Sequence, residues 1–279
     1  MSGLDKADAV VPLLSRLIET VVLGVIQGLT EWLPISSTGH LKIVEKFLGL
    51  NVPLPFDVAL HLGTLVVILI FFREDVKKVF SALKRLDFET GYGRLVPLII
   101  VGSVPTALIG LFFNMFLEDA LQEILTVAAG FIVCGFVLYS VKAKRGDYGN
   151  LNIKKAFIIG VAQGMAVVPG LSRSGLTVAA ALLLGVKREE AFKFSFLLSV
   201  PAVIGAFGLT LLTHLDDLAS SNVGLFETLA GTVVAMVVGY LALKLLWKIL
   251  EGGRFHLFAF YCWTLGVLLL IAVSSLKIF

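Results

Sequence analysis

The sequence predicts an all-α integral membrane protein, an inverted-topology repeat of six transmembrane helices and two re-entrant helical hairpins. Three observations predict this fold. Of 279 residues, 58% are hydrophobic and only 15% charged, and the mean hydropathy is +0.96, more apolar side chain than a water-soluble core can hide. Six apolar segments approach the roughly 20 residues needed to cross the hydrocarbon. Finally, GVIQGLTEWLPISSTG at 24–39 recurs without a gap as GVAQGMAVVPGLSRSG at 160–175. Thirteen of the forty-eight positions from 24 to 71 match the residue 136 further on, about two to three times what apolar composition alone would give, which marks an internal duplication.

The chain therefore reads as one membrane domain, 1–279, with repeat 1 over 20–141 and repeat 2 over 156–276. The apolar stretch 20–33 is too short to span before Pro34 breaks it, and a polar turn and a second short run, 40–50, follow. The stretch 156–168 ends the same way at Pro169-Gly170, with a second run at 175–186. Half-length helices around a polar elbow are tolerated at membrane depth only where protein or a wet cavity covers the exposed backbone, which predicts re-entrant hairpins. The full spans are expected at 57–72, 95–116, 124–141, 194–213, 225–247 and 258–276.

Charge sets the orientation. The stretches 73–94, 142–155, 187–193 and 244–254 hold 17 of the 23 Lys and Arg, so by the positive-inside rule that face is cytoplasmic and both termini point outward. Three spans separate the repeats, so the second hairpin is expected to enter from the opposite leaflet and the elbows to meet near the midplane. Acidic Asp5 and Asp8 and the lack of a small-residue cleavage site argue against a cleavable leader. The net charge of +3 resides in orienting loops and carries no indication of nucleic acid. Cys134 and Cys262 lie in apolar stretches, where single cysteines pack rather than form disulfides or metal sites.

Where the copies diverge, chemistry appears: Glu31 faces Val167 and Ser37 faces Arg173. Gln27 and Glu31 share a helix face, being four apart. An acid at membrane depth costs about 2.5–3.5 kcal/mol on the insertion scale and is by default functional, with a partner expected. Arg173 is the partner the duplication supplies. A purely structural Glu31–Arg173 pair is the competing reading, but it leaves the flanking donors unexplained. The first elbow adds Ser36, Ser37, Thr38, Gly39 and His40, and the second adds Ser172, Ser174 and Thr177 around the guanidinium. Hydroxyls, free helix-start N–H groups and an arginine fork together suit a phosphate-like anion, although helix capping would account for any one hydroxyl taken alone. His40 can exchange a proton near neutral pH. His61 aligns with Leu197, outside the shared scaffold, and is a weaker candidate for lining the site; His214 and His256 look incidental.

QGLTEWLPISSTGH and PGLSRSGLT closely resemble the two signature motifs of the undecaprenyl-diphosphate phosphatase family, also called bacitracin-resistance proteins, and the similarity extends through FDVALHLGTL and FSFLLSVPA. The resemblance implies a plasma-membrane enzyme that hydrolyses a polyprenyl diphosphate lipid to the monophosphate and inorganic phosphate, recycling the carrier for cell-wall glycan synthesis. It also implies an extracytoplasmic active site and a divalent cation, Mg²⁺ or Ca²⁺. By motif position, Glu31, Ser37, His40 and Arg173 are the expected catalytic residues, with Glu31 at the metal. Gln27, Ser36, Thr38, Gly39, Ser172, Ser174 and Thr177 are the expected substrate-binding residues. Gln27 stands where family members carry Glu or Gln, which weakens any mechanism that needs two acids on the metal. Ser37 as nucleophile with His40 as base, His40 activating water, and His40 itself phosphorylated are all compatible with the motif. A secondary transporter or flippase for an anionic lipid or small anion is the rival reading, since broken helices meeting at the midplane are a transporter plan. A homodimer is compatible with a repeat core that needs no partner.

Overall fold

The computed structural model describes residues 3–49, 54–117, 121, 123–142, 150–213 and 224–276, and among these all regular structure is helical. The helices are α1 Gly3–Trp32, α2 Ser37–Leu48, α3 Leu54–Phe71, α4 Arg73–Lys84, α5 Leu95–Phe116, α6 Ile124–Ser140, α7 Ile153–Met165, α8 Arg173–Leu183, α9 Arg188–Thr213, α10 Leu225–Glu251 and α11 Phe258–Leu276, with a 3₁₀ turn at Phe255–Leu257. Among the described residues, five stretches are long and apolar enough to cross a membrane: α3, α5, α9, α10 and the run Phe255–Ser275. The sixth expected span, α6, has 17 residues, just short of that length.

Two boundaries differ from the sequence expectation for a common reason. The first hairpin limb, expected over 20–33, is the end of a 30-residue helix that begins at Gly3. The expected basic loop 73–94 contains α4, a 12-residue helix with no buried residue. Both extra pieces carry charges, Asp5, Lys6, Asp8, Arg16 and Glu19 in the first and most of the residues of the first turns in the second, so a reading keyed to uninterrupted apolar length stops short of them. The second limb does keep its expected shortness, at 13 residues. His214 lies outside the described residues.

The hairpins are built from small residues. α1 packs along α10 and α7 along α5, so each first limb lies on the second long span of the other repeat. A Cβ on Gly24 would sit 2.5 Å from the Gly231 carbonyl oxygen, and one on Gly28 2.7 Å from that of Ala235. Gly160, the repeat partner of Gly24, meets the backbone of Gly102 in the same way, and Thr106 Oγ1 donates to the Gly160 carbonyl oxygen at 2.9 Å. Such close backbone approach is how membrane helices associate when water supplies no hydrophobic drive. α6 and α11 pack on each other beside the elbows, and the Cys262 thiol on α11 donates to the Pro34 carbonyl oxygen at 3.6 Å.

Candidate active site

The two elbows touch. Ser36 Oγ accepts from Gly39 N at 3.3 Å, capping α2, and from Gly170 N of the other elbow at 3.1 Å. Ser172 caps α8 equivalently, accepting from Gly175 N at 3.1 Å. Gly170 has φ 90 and lies against the Val127 carbonyl on α6, a conformation and a closeness that a side chain would not allow. Ser174 Oγ donates back to the Leu33 carbonyl oxygen of the first elbow at 3.4 Å.

This contact brings together the two charges that the duplication separates. Arg173 Nη2 is ion-paired with Glu31 Oε1, and their side chains are 17% and 7% exposed, so the pair is sheltered but not sealed. The guanidinium also lies over the ring of Trp32, 5.4 Å from its centroid, which fixes the fork from behind. The other carboxylate oxygen, Glu31 Oε2, accepts from Ser37 Oγ at 2.7 Å and from Gln27 Nε2 at 3.2 Å. Four predicted residues, Gln27, Glu31, Ser37 and Arg173, thus form one cluster.

The other hydroxyls face inward. Ser36, Ser172, Ser174 and Thr177 are buried, and Thr177 Oγ1 donates to the Arg173 carbonyl oxygen at 2.8 Å while Ser172 and Ser174 bond each other at 3.1 Å. Their positions are those of caps and staples, the structural alternative that the sequence left open. Gly39 is buried against Phe131 and Gly170, and Thr38 is exposed.

His40 does not join the cluster. Its Nδ1 lies 2.7 Å from the Ser36 carbonyl oxygen and its Nε2 2.6 Å from the Tyr261 hydroxyl on α11, so both ring nitrogens are engaged away from Ser37.

His61 enters instead. Its Nε2 is 3.7 Å from Glu31 Oε2, and its Nδ1 donates to the Asp57 carbonyl oxygen at 3.0 Å and lies 3.4 Å from that residue's carboxylate. Asp57 and His61 are 34% and 30% exposed and mark where the cluster opens. A signal for this pair was present in the sequence: an acid and a histidine four apart in an apolar helix, at positions where repeat 2 has Lys193 and Leu197. His256 lies away from the cluster, against Tyr139.

Two oxygens suited to a hard cation sit in or beside the cluster. Gln27 Oε1 is buried with no hydrogen-bond partner among the described residues, and the buried Asp57 Oδ1 has only the ion-pair contact with His61 Nδ1 at 3.4 Å. Together with Glu31 they fit the oxygen preference of Mg²⁺ or Ca²⁺. Among the described residues no group of three or more His, Cys, Asp or Glu is gathered as a metal site, so substrate oxygens would have to complete the shell, as is usual for Mg²⁺ at phosphates.

Known proteins match this chain nearly end to end. Residues 20–268 match the family described as Bacitracin resistance protein BacA. A protein named undecaprenyl-diphosphatase from Carboxydothermus hydrogenoformans is 43% identical over 267 residues, covering 93% of this chain and 98% of that protein. One of the same name from Desulforapulum autotrophicum is 42% identical over 92% of this chain and 98% of its own length. Another of that name, from Methanobrevibacter smithii, is 37% identical over 90% of this chain and 96% of its own length.

Proposed function

Because this chain belongs to the bacitracin resistance protein family, we propose that it is a multi-pass membrane undecaprenyl-diphosphatase, releasing inorganic phosphate from the lipid diphosphate and returning the monophosphate carrier to cell-wall glycan synthesis. One observation carries the residue assignment: Ser37 donates to the carboxylate that Arg173 holds. The transporter reading is not favoured, because the curated relatives are named for a phosphatase activity.

The lipid tail stays in the bilayer while the diphosphate enters on the Asp57–His61 side. The remaining N–H groups of the Arg173 fork and the starts of α2 and α8 neutralise the phosphate oxygens, where a planar bidentate donor outperforms a point charge. Ser37 Oγ attacks the terminal phosphorus as Glu31 takes its proton. The bond to the bridging oxygen breaks, the lipid monophosphate leaves, and water then hydrolyses the phosphoserine. Ser37 is preferred over the other elbow serines because they are buried and bonded within the elbows. A divalent cation held by Glu31 with Asp57 and Gln27 would add charge neutralisation at the diphosphate.

The site is read as extracytoplasmic. Asp57 lies near the start of α3, whereas the Lys- and Arg-rich stretch follows its end. α1 and α10 run in register, Gly24 beside Gly231 and Gly28 beside Ala235, so the N-terminus shares the side opposite the basic stretch 244–254 and is read as outside. α11 returns from that basic stretch, so the C-terminus is read as outside as well. The exchanged packing of the two limbs supports hairpins that enter from opposite leaflets.

The test is phosphate release from undecaprenyl diphosphate by the purified protein in detergent. Arg173→Lys, which keeps the charge but loses the fork, is expected to lower kcat by about 100-fold or more, and a chelator is expected to reduce turnover that added Mg²⁺ or Ca²⁺ restores. Near-normal release by Arg173→Lys would overturn the role of Arg173, and insensitivity to chelation would overturn the cation.

A further inference from the structure

We infer that Tyr261 is a positioning residue for this phosphatase, acting through His40 to hold the Ser36 turn that aims Ser37 at Glu31, and that His40 is the connector in this arrangement rather than the base. The inference rests on the assignment of Ser37 and Glu31 above and adds a residue that neither elbow motif contains.

The ring geometry fixes the roles. A backbone carbonyl can only accept, so the 2.7 Å contact from His40 Nδ1 to the Ser36 carbonyl oxygen puts the proton on Nδ1. The lone pair of the neutral ring is then on Nε2, where the Tyr261 hydroxyl donates to it at 2.6 Å. That lone pair is the one a general base needs, and it is already in use. The imidazole is further held by stacking on Tyr261, with centroids 5.7 Å apart and planes 15° from parallel, and by an edge-on contact with Phe131 at 5.4 Å.

What the ring holds is strained. Ser36 has φ 67 and ψ 101, a left-handed backbone conformation that side-chain-bearing residues rarely adopt and that persists only where surrounding contacts over-determine it. Four donors do so here: His40 Nδ1 and His40 N at its carbonyl oxygen, and Gly39 N and Gly170 N at its hydroxyl. The next residue is Ser37, 2.7 Å from Glu31.

The duplication provides an internal control. Ser172, the counterpart of Ser36, caps its helix with an ordinary φ of −91. The counterpart of His40 is Leu176. The imidazole therefore occurs in the elbow that carries the strain and the hydroxyl nucleophile, and is missing from the one that carries neither. Tyr261 makes no hydrogen bond to Glu31, Ser37 or Arg173 among the described residues; its hydroxyl is directed to His40.

The test uses the full chain in detergent with undecaprenyl diphosphate, on variants that elute like the wild type. Tyr261→Phe is expected to lower kcat about tenfold with KM and the pH profile unmoved, since a small misplacement of a reacting group costs between one and two powers of ten. In His40→Asn the amide nitrogen replaces Nδ1, so it is expected to retain turnover within about tenfold of wild type, whereas His40→Ala loses about 100-fold. Tyr261→Phe added to His40→Asn is expected to cost nothing further. A His40→Asn protein as inactive as Ser37→Ala, or Tyr261→Phe indistinguishable from wild type, overturns the inference while leaving the phosphatase reading intact. Failure of the wild type to release phosphate overturns the phosphatase reading instead. In that case ring ¹⁵N chemical shifts of His40 still decide the connector geometry: protonation at Nδ1 supports it, and protonation at Nε2 overturns it.

Discussion

The two elbows have the same scaffold and opposite chemistry. In each, a serine caps a short helix by accepting from a glycine N–H three residues on: Ser36 from Gly39 and Ser172 from Gly175. In each, the first helical residue carries the group that matters, Ser37 in one and Arg173 in the other. The first limb contributes Glu31 where the second has Val167, and the strained turn belongs to the first elbow alone. A duplicated frame can thus hold a fixed geometry while its two copies divide acid, hydroxyl and cation between them. The division allows a charge to survive at membrane depth, because each copy supplies the partner that makes the other's residue tolerable.

The comparison breaks most severely if the cluster is only a structural staple. Ser37→Ala is expected to lower phosphate release by about 1,000-fold or more with no loss of thermal stability, because a nucleophile is removed while both elbows remain capped. A variant that keeps a tenth of wild-type turnover would remove Ser37 from the chemistry. The charge exchange Glu31→Arg with Arg173→Glu sharpens the same point, since it keeps an ion pair between the elbows. It is expected to restore part of the stability lost in either single variant, read by thermal unfolding in detergent, and none of the activity. Recovery of turnover would show that the pair, and not its orientation, is what matters.

Next in size is the meeting of the elbows. Gly170→Ala forces a side chain into a φ of 90 beside the Val127 carbonyl. It should cost about 1–3 kcal/mol or more in stability and lower activity with it. A wild-type melting temperature in Gly170→Ala would mean that the second elbow is not held in the conformation described.

How far the site was legible depended on whether its information was local. The 136-residue offset identified both elbows and paired Glu31 with Arg173, because duplication exposes each departure from the common pattern. The ring partners of His40 were hidden: Tyr261 lies 221 residues away in an apolar helix, where nothing distinguishes it from any lipid-facing aromatic. His61 was visible through its i, i+4 pairing with Asp57 on α3, but its nearness to Glu31 was not, because that depends on how α3 rests against α1. The hydroxyls of Ser172, Ser174 and Thr177 show the converse limit. A serine at a helix start has the same sequence context whether it caps the helix or binds a ligand, and only the direction of its oxygen separates the two.

The smallest predicted effect tests that distinction. Ser172→Ala removes a cap from the unstrained elbow, so it should cost about 1 kcal/mol of stability and change kcat by less than about threefold. Ser36→Ala removes the equivalent cap and in addition the bond to Gly170, next to the strained turn and Ser37. It should cost more stability than Ser172→Ala and, unlike it, lower kcat by about tenfold or more. The contrast between the two variants matters more than either value. If they behave alike in both stability and turnover, the elbows are equivalent supports and the strain at Ser36 has no bearing on catalysis. If only Ser36→Ala affects turnover, the first elbow converts backbone strain into the aim of a single hydroxyl, and the second serves as the rigid surface against which that strain is held.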